Sequence, residues 1–132
     1  MVKARKLVII GLAVGVVVNV LDFIVQGNLL ADMYAAYPVF RNTANIVPLL
    51  ILGDFVSAFV FALTYLTLAG SYTGMASGAK VGLFLGVFAS FPTFHFMQLL
   101  INGIPYSFAW IATIYGIIWY IIAGAVAGAL NK

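Results

Sequence analysis

The chain has 132 residues, of which 65% are hydrophobic and 7% charged, with a formal net charge of +3 and a mean hydropathy of +1.18. Soluble domains carry about 25% charged residues, and a water-soluble chain this short cannot hide so much apolar surface, so the bilayer is its solvent. Cysteine is absent, which excludes disulfides, thiol catalysis and thiolate metal sites, and the few cations read as a topology signal rather than a nucleic-acid footprint.

The chain opens with the basic head Lys3, Arg5 and Lys6, followed by an apolar run. That run continues far past a signal-peptide core, and no small-x-small cleavage site follows it. The pattern predicts a first transmembrane helix over about 7–29, since about 20 apolar residues span a bilayer core. Within it lies Val16-Val17-Val18-Asn19-Val20-Leu21-Asp22-Phe23-Ile24-Val25-Gln26. At about 100° per residue, Asn19, Asp22 and Gln26 fall within roughly 60° on one face, which Gly11 and Gly15 extend toward the N-terminus. A charge at bilayer depth costs about 2.5–3.5 kcal/mol on insertion scales unless it faces protein or a watered cavity. The other helices must cover this face.

Residues 31–45 read as a loop with interfacial aromatics, including a short helix before Pro38. A second helix is predicted over about 46–69, with Pro48 tolerated in its first turn. A small-residue connection follows, and then a third helix over about 79–101, which Pro92 is expected to kink near Phe88 to Ser90. Asn102-Gly103-Ile104-Pro105-Tyr106 is a turn by composition, and the fourth helix runs over about 107–130. The expected fold is all-α: one domain, 1–132, forming a four-helix, up-down-up-down transmembrane bundle. With the N-terminus inside, Lys3, Arg5, Lys6, Lys80 and Lys132 share the inner side and only Arg41 lies outside, which places both termini in the cytoplasm by the positive-inside rule.

Counting residues from the helix ends puts Asp22, Asp54, His95 and Tyr115 within roughly one helical turn of a common level in the outer half of the membrane. Gln98 lies near His95, as Asn19 and Gln26 flank Asp22. The expectation is therefore a shared polar site built on Asp22, Asp54 and His95, with Asn19, Gln26, Gln98 and Tyr115 around it. The plainer reading is that the amides are interhelical glue worth about 0.6 kcal/mol per contact, that each acid is protonated and hydrogen-bonded, and that His95 is a packed neutral ring.

Gly70, Gly74, Gly78, Gly82 and Gly86 recur every four residues, with Ser90 next in step, and Gly124 and Gly128 form a matching short patch. Small-xxx-small stripes let helix backbones approach closely, here within the bundle or between copies. The spacing places Gly82 and Gly86 on a face turned broadly away from His95 and Gln98.

No phosphate-binding glycine loop, HExxH or GxSxG occurs, so no catalytic residue and no cofactor is specified, and the chain reads as a non-enzyme. His95, Asp22 and Asp54 match a divalent metal in ligand type, although three separate helices make no spacing motif. Leu21-Asp22 and Gly53-Asp54 superficially resemble intramembrane aspartyl proteases. The glycine that signature needs is replaced by Ile51, and no tyrosine precedes Asp22.

The segment Asn19-Val20-Leu21-Asp22-Phe23-Ile24-Val25-Gln26-Gly27-Asn28-Leu29-Leu30, with Tyr34 beyond it, resembles small bacterial four-helix inner-membrane proteins of unestablished function. The resemblance implies an inner (plasma) membrane bundle and no particular activity. The functional expectation is a membrane protein whose polar cavity binds a proton, small cation or small polar ligand, as a transporter, channel or sensor. Its partners are the lipid bilayer and a second copy or another membrane protein. The alternatives are an accessory or assembly subunit and a metal-dependent membrane enzyme.

Overall fold

A computed structural model describes the whole chain, Met1–Lys132. It is all-helical, with four helices long and apolar enough to cross a membrane. Helix α1 spans Ala4–Ile24 and continues through a π-helical turn at Val25–Leu29; the short α2 spans Ala31–Ala35. Helices α3, α4 and α5 span Val47–Leu68, Met75–Leu100 and Tyr106–Leu130. The predicted helices are all present, and the short helix before Pro38 is α2. Pro48 sits in the first turn of α3, where no amide partner is lost.

Two boundaries depart from the sequence reading by three residues or more, the first being α1, which begins at Ala4 rather than near Leu7. Helix α4 starts at Met75 rather than near Ala79, so Gly78 is helical. Glycine costs about 1 kcal/mol in a helix interior, and the tight contact it permits with α5 offsets that cost. The helix continues through Pro92, where the kink is expected. Proline withdraws the amide that would bond the Phe88 carbonyl, and the Thr93 hydroxyl donates to the adjacent Ala89 carbonyl at 2.6 Å.

The packing order is α3–α1–α5–α4, two antiparallel hairpins joined through α1 and α5. In the α4–α5 hairpin, the only buried residues of α4 are Gly78, Gly82, Gly86 and Ser90. A Cβ added at Gly78 would lie 2.8 Å from the Gly128 Cα, and one at Gly86 would lie 3.0 Å from the Ile117 Cα. The stripe is therefore an internal seam, backbone against backbone, and the Gly74 amide crosses it to the Gly128 carbonyl at 2.8 Å. Large side chains such as Phe84 and Phe88, 75% and 80% exposed, point the other way toward lipid.

In the α1–α3 hairpin, glycine seats an aromatic ring instead. A Cβ on Gly11 would lie 2.7 Å from the Phe59 ring, and Gly15 seats Phe55 in the same manner. Ile10, Val14 and Val18 of α1 then meet Phe61, Tyr65, Ala123 and Ala127 in the main core.

The end of the bundle carrying both termini is tied by Asn131, which is 2% exposed. It accepts from Lys6 Nζ at 3.0 Å and donates through Nδ2 to the carbonyls of Gly70 at 2.8 Å and Tyr72 at 3.3 Å. The Tyr65 hydroxyl donates to the same Tyr72 carbonyl at 2.6 Å. One side chain thus holds α1, the α3–α4 connection and the end of α5 together.

Candidate functional site

The opposite end of the bundle is less closely filled. Toward the long 36–46 connection, beyond the seat of Phe55, a cavity of about 1100 Å³ lies between α1 and α3, beneath α2 and the residues that follow it. Asn19, Asp22, Gln26, Tyr34, Arg41 and Asp54 supply polar groups to its wall. Its flanks include Val16, Val20 and Phe23 of α1 and Leu50 and Ile51 of α3, all exposed apolar side chains. The cavity is therefore bordered by the acyl layer as well as by protein.

Asp22 is the centre of the polar network. Its Oδ1 accepts from Gln26 Nε2 at 3.1 Å and from the Tyr115 hydroxyl of α5. Gln26 also lies within reach of the Tyr115 hydroxyl and accepts from the Tyr34 hydroxyl at 3.2 Å. The Asp54 carboxyl of α3 lies against that of Asp22, within hydrogen-bonding reach. A hydrogen bond between two carboxyl groups requires that at least one of them be protonated.

The π-helical turn gives Gln26 its position. The Leu30 amide reaches back to the Val25 carbonyl at 2.8 Å, and Asn28 Nδ2 bonds the Phe23 carbonyl at 2.7 Å. Both are five-residue spans that widen the helix where Gly27 and Asn28 propagate an ordinary turn poorly. Tyr34 in α2 is set by rings: Phe40 at 5.0 Å edge-on and Phe108 of α5 at 6.0 Å. Burial, and then the neighbouring Asp22 carboxyl, push the Tyr34 hydroxyl above its usual pKa range.

Of the residues expected at the site, Asp22, Asp54, Tyr115 and Gln26 come together. Asn19 lines the cavity, but its Nδ2 is committed to the Gly15 carbonyl one turn back, at 2.8 Å. His95 does not join them. Its ring stacks on Phe91 with centroids 4.2 Å apart and meets Trp110 edge-on at 4.8 Å and Tyr106 at 5.6 Å. Nε2 is buried without a partner. The reason is azimuth: α4 packs on α5 and is separated from α3, so equal depth does not bring His95 to the acids. The face bearing His95 meets the first turns of α5, although the glycine stripe also meets α5.

Gln98 is likewise elsewhere, donating to the Ile104 carbonyl in the α4–α5 turn at 3.3 Å. No group of three His, Asp or Glu side chains lies close enough to hold a metal ion, which removes the donor set of His95, Asp22 and Asp54.

Tyr34 and Arg41 are site residues that the depth comparison omits, because both lie in a connection whose position no helical period fixes. The aromatics in that connection were the available signal. No protein-family model, curated protein or solved structure matches the chain.

Proposed function

We propose that the chain is a small bacterial inner (plasma) membrane protein with cytoplasmic termini, whose cavity binds a small cation, a proton or a small polar ligand. In this reading it works as a small transporter, channel or sensor. The observation that carries the proposal is the adjacent carboxyl pair of Asp22 and Asp54 on the wall of a cavity of about 1100 Å³. Two acids at bilayer depth are costly to retain, and a ligand that supplies positive charge relieves that cost.

The orientation rests on Lys3, Arg5, Lys6, Lys80 and Lys132 at one side against Arg41 at the other. It puts the cavity in the outer half of the membrane. The chain lacks cysteine, so Asn42→Cys creates a single labelling position. A membrane-impermeant maleimide should label that variant from outside intact cells, and a reporter fused after Lys132 should read as cytoplasmic. The reverse accessibility would overturn the orientation. For the site, saturable binding of methylammonium to protein in lipid nanodiscs should weaken about tenfold or more in Asp54→Asn. Equal binding by the variant would remove the acids from the proposal.

One observation favours the accessory-subunit reading. Helices α3 and α4 stand apart over a groove of about 370 Å³ lined by Val56, Val60, Leu85 and Phe88, an apolar surface a partner helix could fill. Copurification of a stoichiometric second protein that is lost in Val60→Trp would put that reading first.

A further inference from the structure

The dimensions and borders of the cavity narrow the ligand class. A bare inorganic cation needs several close oxygen ligands, whereas the amide and hydroxyl nearest the pair, Gln26 and Tyr115, already donate to Asp22, and no third acid or histidine joins the two carboxyls. The volume, about 1100 Å³, is many times the ~30 Å³ of a water molecule and is on the scale of a drug-sized organic ligand. One wall is polar, at Asp22 and Asp54, while the flanks at Val20, Phe23, Leu50 and Ile51 are apolar. These flanks are themselves exposed at bilayer depth: Val20 is 55% and Phe23 71% exposed. Arg41 lies toward the loop side of the same cavity, where its positive charge opposes a cation arriving from water.

From this arrangement we infer that the cavity takes a membrane-partitioned amphipathic amine, its ammonium group at Asp22 and Asp54 and its chain along the Val20 and Phe23 flank. The inference rests on the cation-binding reading above and specifies its ligand. A carboxyl pair sharing one proton carries one negative charge, which a single ammonium balances. The chain partitions the ligand into the leaflet and so concentrates it beside the cavity relative to a water-borne amine, although exchanging lipid for equally apolar side chains adds little contact energy. The head supplies the selectivity, through charge-assisted hydrogen bonds in a low-dielectric setting. Access from the side, out of the leaflet on the long-loop side, avoids Arg41.

The test uses the full chain in phosphatidylcholine nanodiscs with radiolabelled dodecylamine, dodecanol and methylammonium. Dodecylamine should bind saturably, at least about tenfold more tightly than either comparator, and at least about tenfold more weakly to Asp54→Asn. Val20→Trp, a change at an exposed position, fills the flank. It should weaken dodecylamine by a much larger factor than methylammonium, and this arm stands even if Asp54→Asn fails to fold. Equal binding of dodecanol, or unchanged dodecylamine binding in Val20→Trp, would overturn the proposal. Methylammonium binding as tightly as dodecylamine, with both dependent on Asp54, would overturn the amphiphile while sparing the cation site. No binding of either amine to the wild-type chain would overturn both.

Discussion

Between α4 and α5, glycine meets glycine along the length of the helices, and little but backbone lies in the seam. Between α1 and α3, glycine receives a phenylalanine ring at two successive turns, and the remaining length opens into the cavity that holds Asp22 and Asp54. Small residues thus serve opposite ends. In one hairpin they bring two backbones together so that dispersion and Cα–H···O contacts hold the pair without a hydrophobic driving force. In the other they admit bulky rings that fix the spacing of the helices, which leaves room for polar side chains beyond the last ring. A rigid hairpin and a hollow one share a single molecule, and the polar chemistry belongs to the hollow one.

The sharpest way to break this contrast is to add the same side chain to each hairpin. Gly82→Leu should destabilise the protein by about 3 kcal/mol or more, because even its Cβ would lie 2.8 Å from the Tyr120 carbonyl carbon. Gly53→Leu in α3, where nothing lies within 4 Å of an added Cβ, should change stability by less than about 0.5 kcal/mol. Denaturation in mixed micelles checks both. Equal losses would mean that Gly82 is no more closely packed than a glycine facing open space.

A smaller effect is expected at the end carrying the termini. Asn131→Ala should cost about 1–3 kcal/mol, since it removes the partner of Lys6 and strands the Gly70 carbonyl, while the Tyr72 carbonyl keeps the Tyr65 hydroxyl. The loss should appear as faster backbone amide exchange in residues 70–74, with the cavity end unchanged.

The smallest effect concerns Tyr34, whose hydroxyl lies above its usual pKa range through burial first and the Asp22 carboxyl second. The sign follows from linkage: a raised folded pKa means the neutral phenol favours the folded state. Its contribution is fully present below the ordinary tyrosine value of about 10 and is lost as pH rises through the folded value. In a spectrophotometric titration Tyr34 should ionise at a higher pH than in Asp22→Asn, and an identical curve in that variant would detach Tyr34 from the site.

Depth was legible in the sequence because rise per residue is fixed, and so Asp22, Asp54 and Tyr115 could be placed at one level and do meet. Azimuth was not. His95 shares that level, yet which helix faces which follows from the order α3–α1–α5–α4, and no local pattern encodes that order. The glycine period on α4 and its match at Gly124 and Gly128 were readable because close packing needs small residues at helical spacing. Asn131 was invisible for the opposite reason, as a polar residue beside a terminal lysine reads as solvated. The widened turn at Val25–Leu29 depends on the Asn28 side chain choosing a backbone carbonyl, which composition does not dictate.

The central claim is that Asp22 and Asp54 act as one unit, and its most direct test is an infrared titration of the carboxyl stretch. The Asp54 signal of the wild-type chain should differ from that of the Asp22→Asn variant, because the carboxyl lying against it is gone. An Asp54 signal that titrates identically with and without Asp22 would contradict the claim.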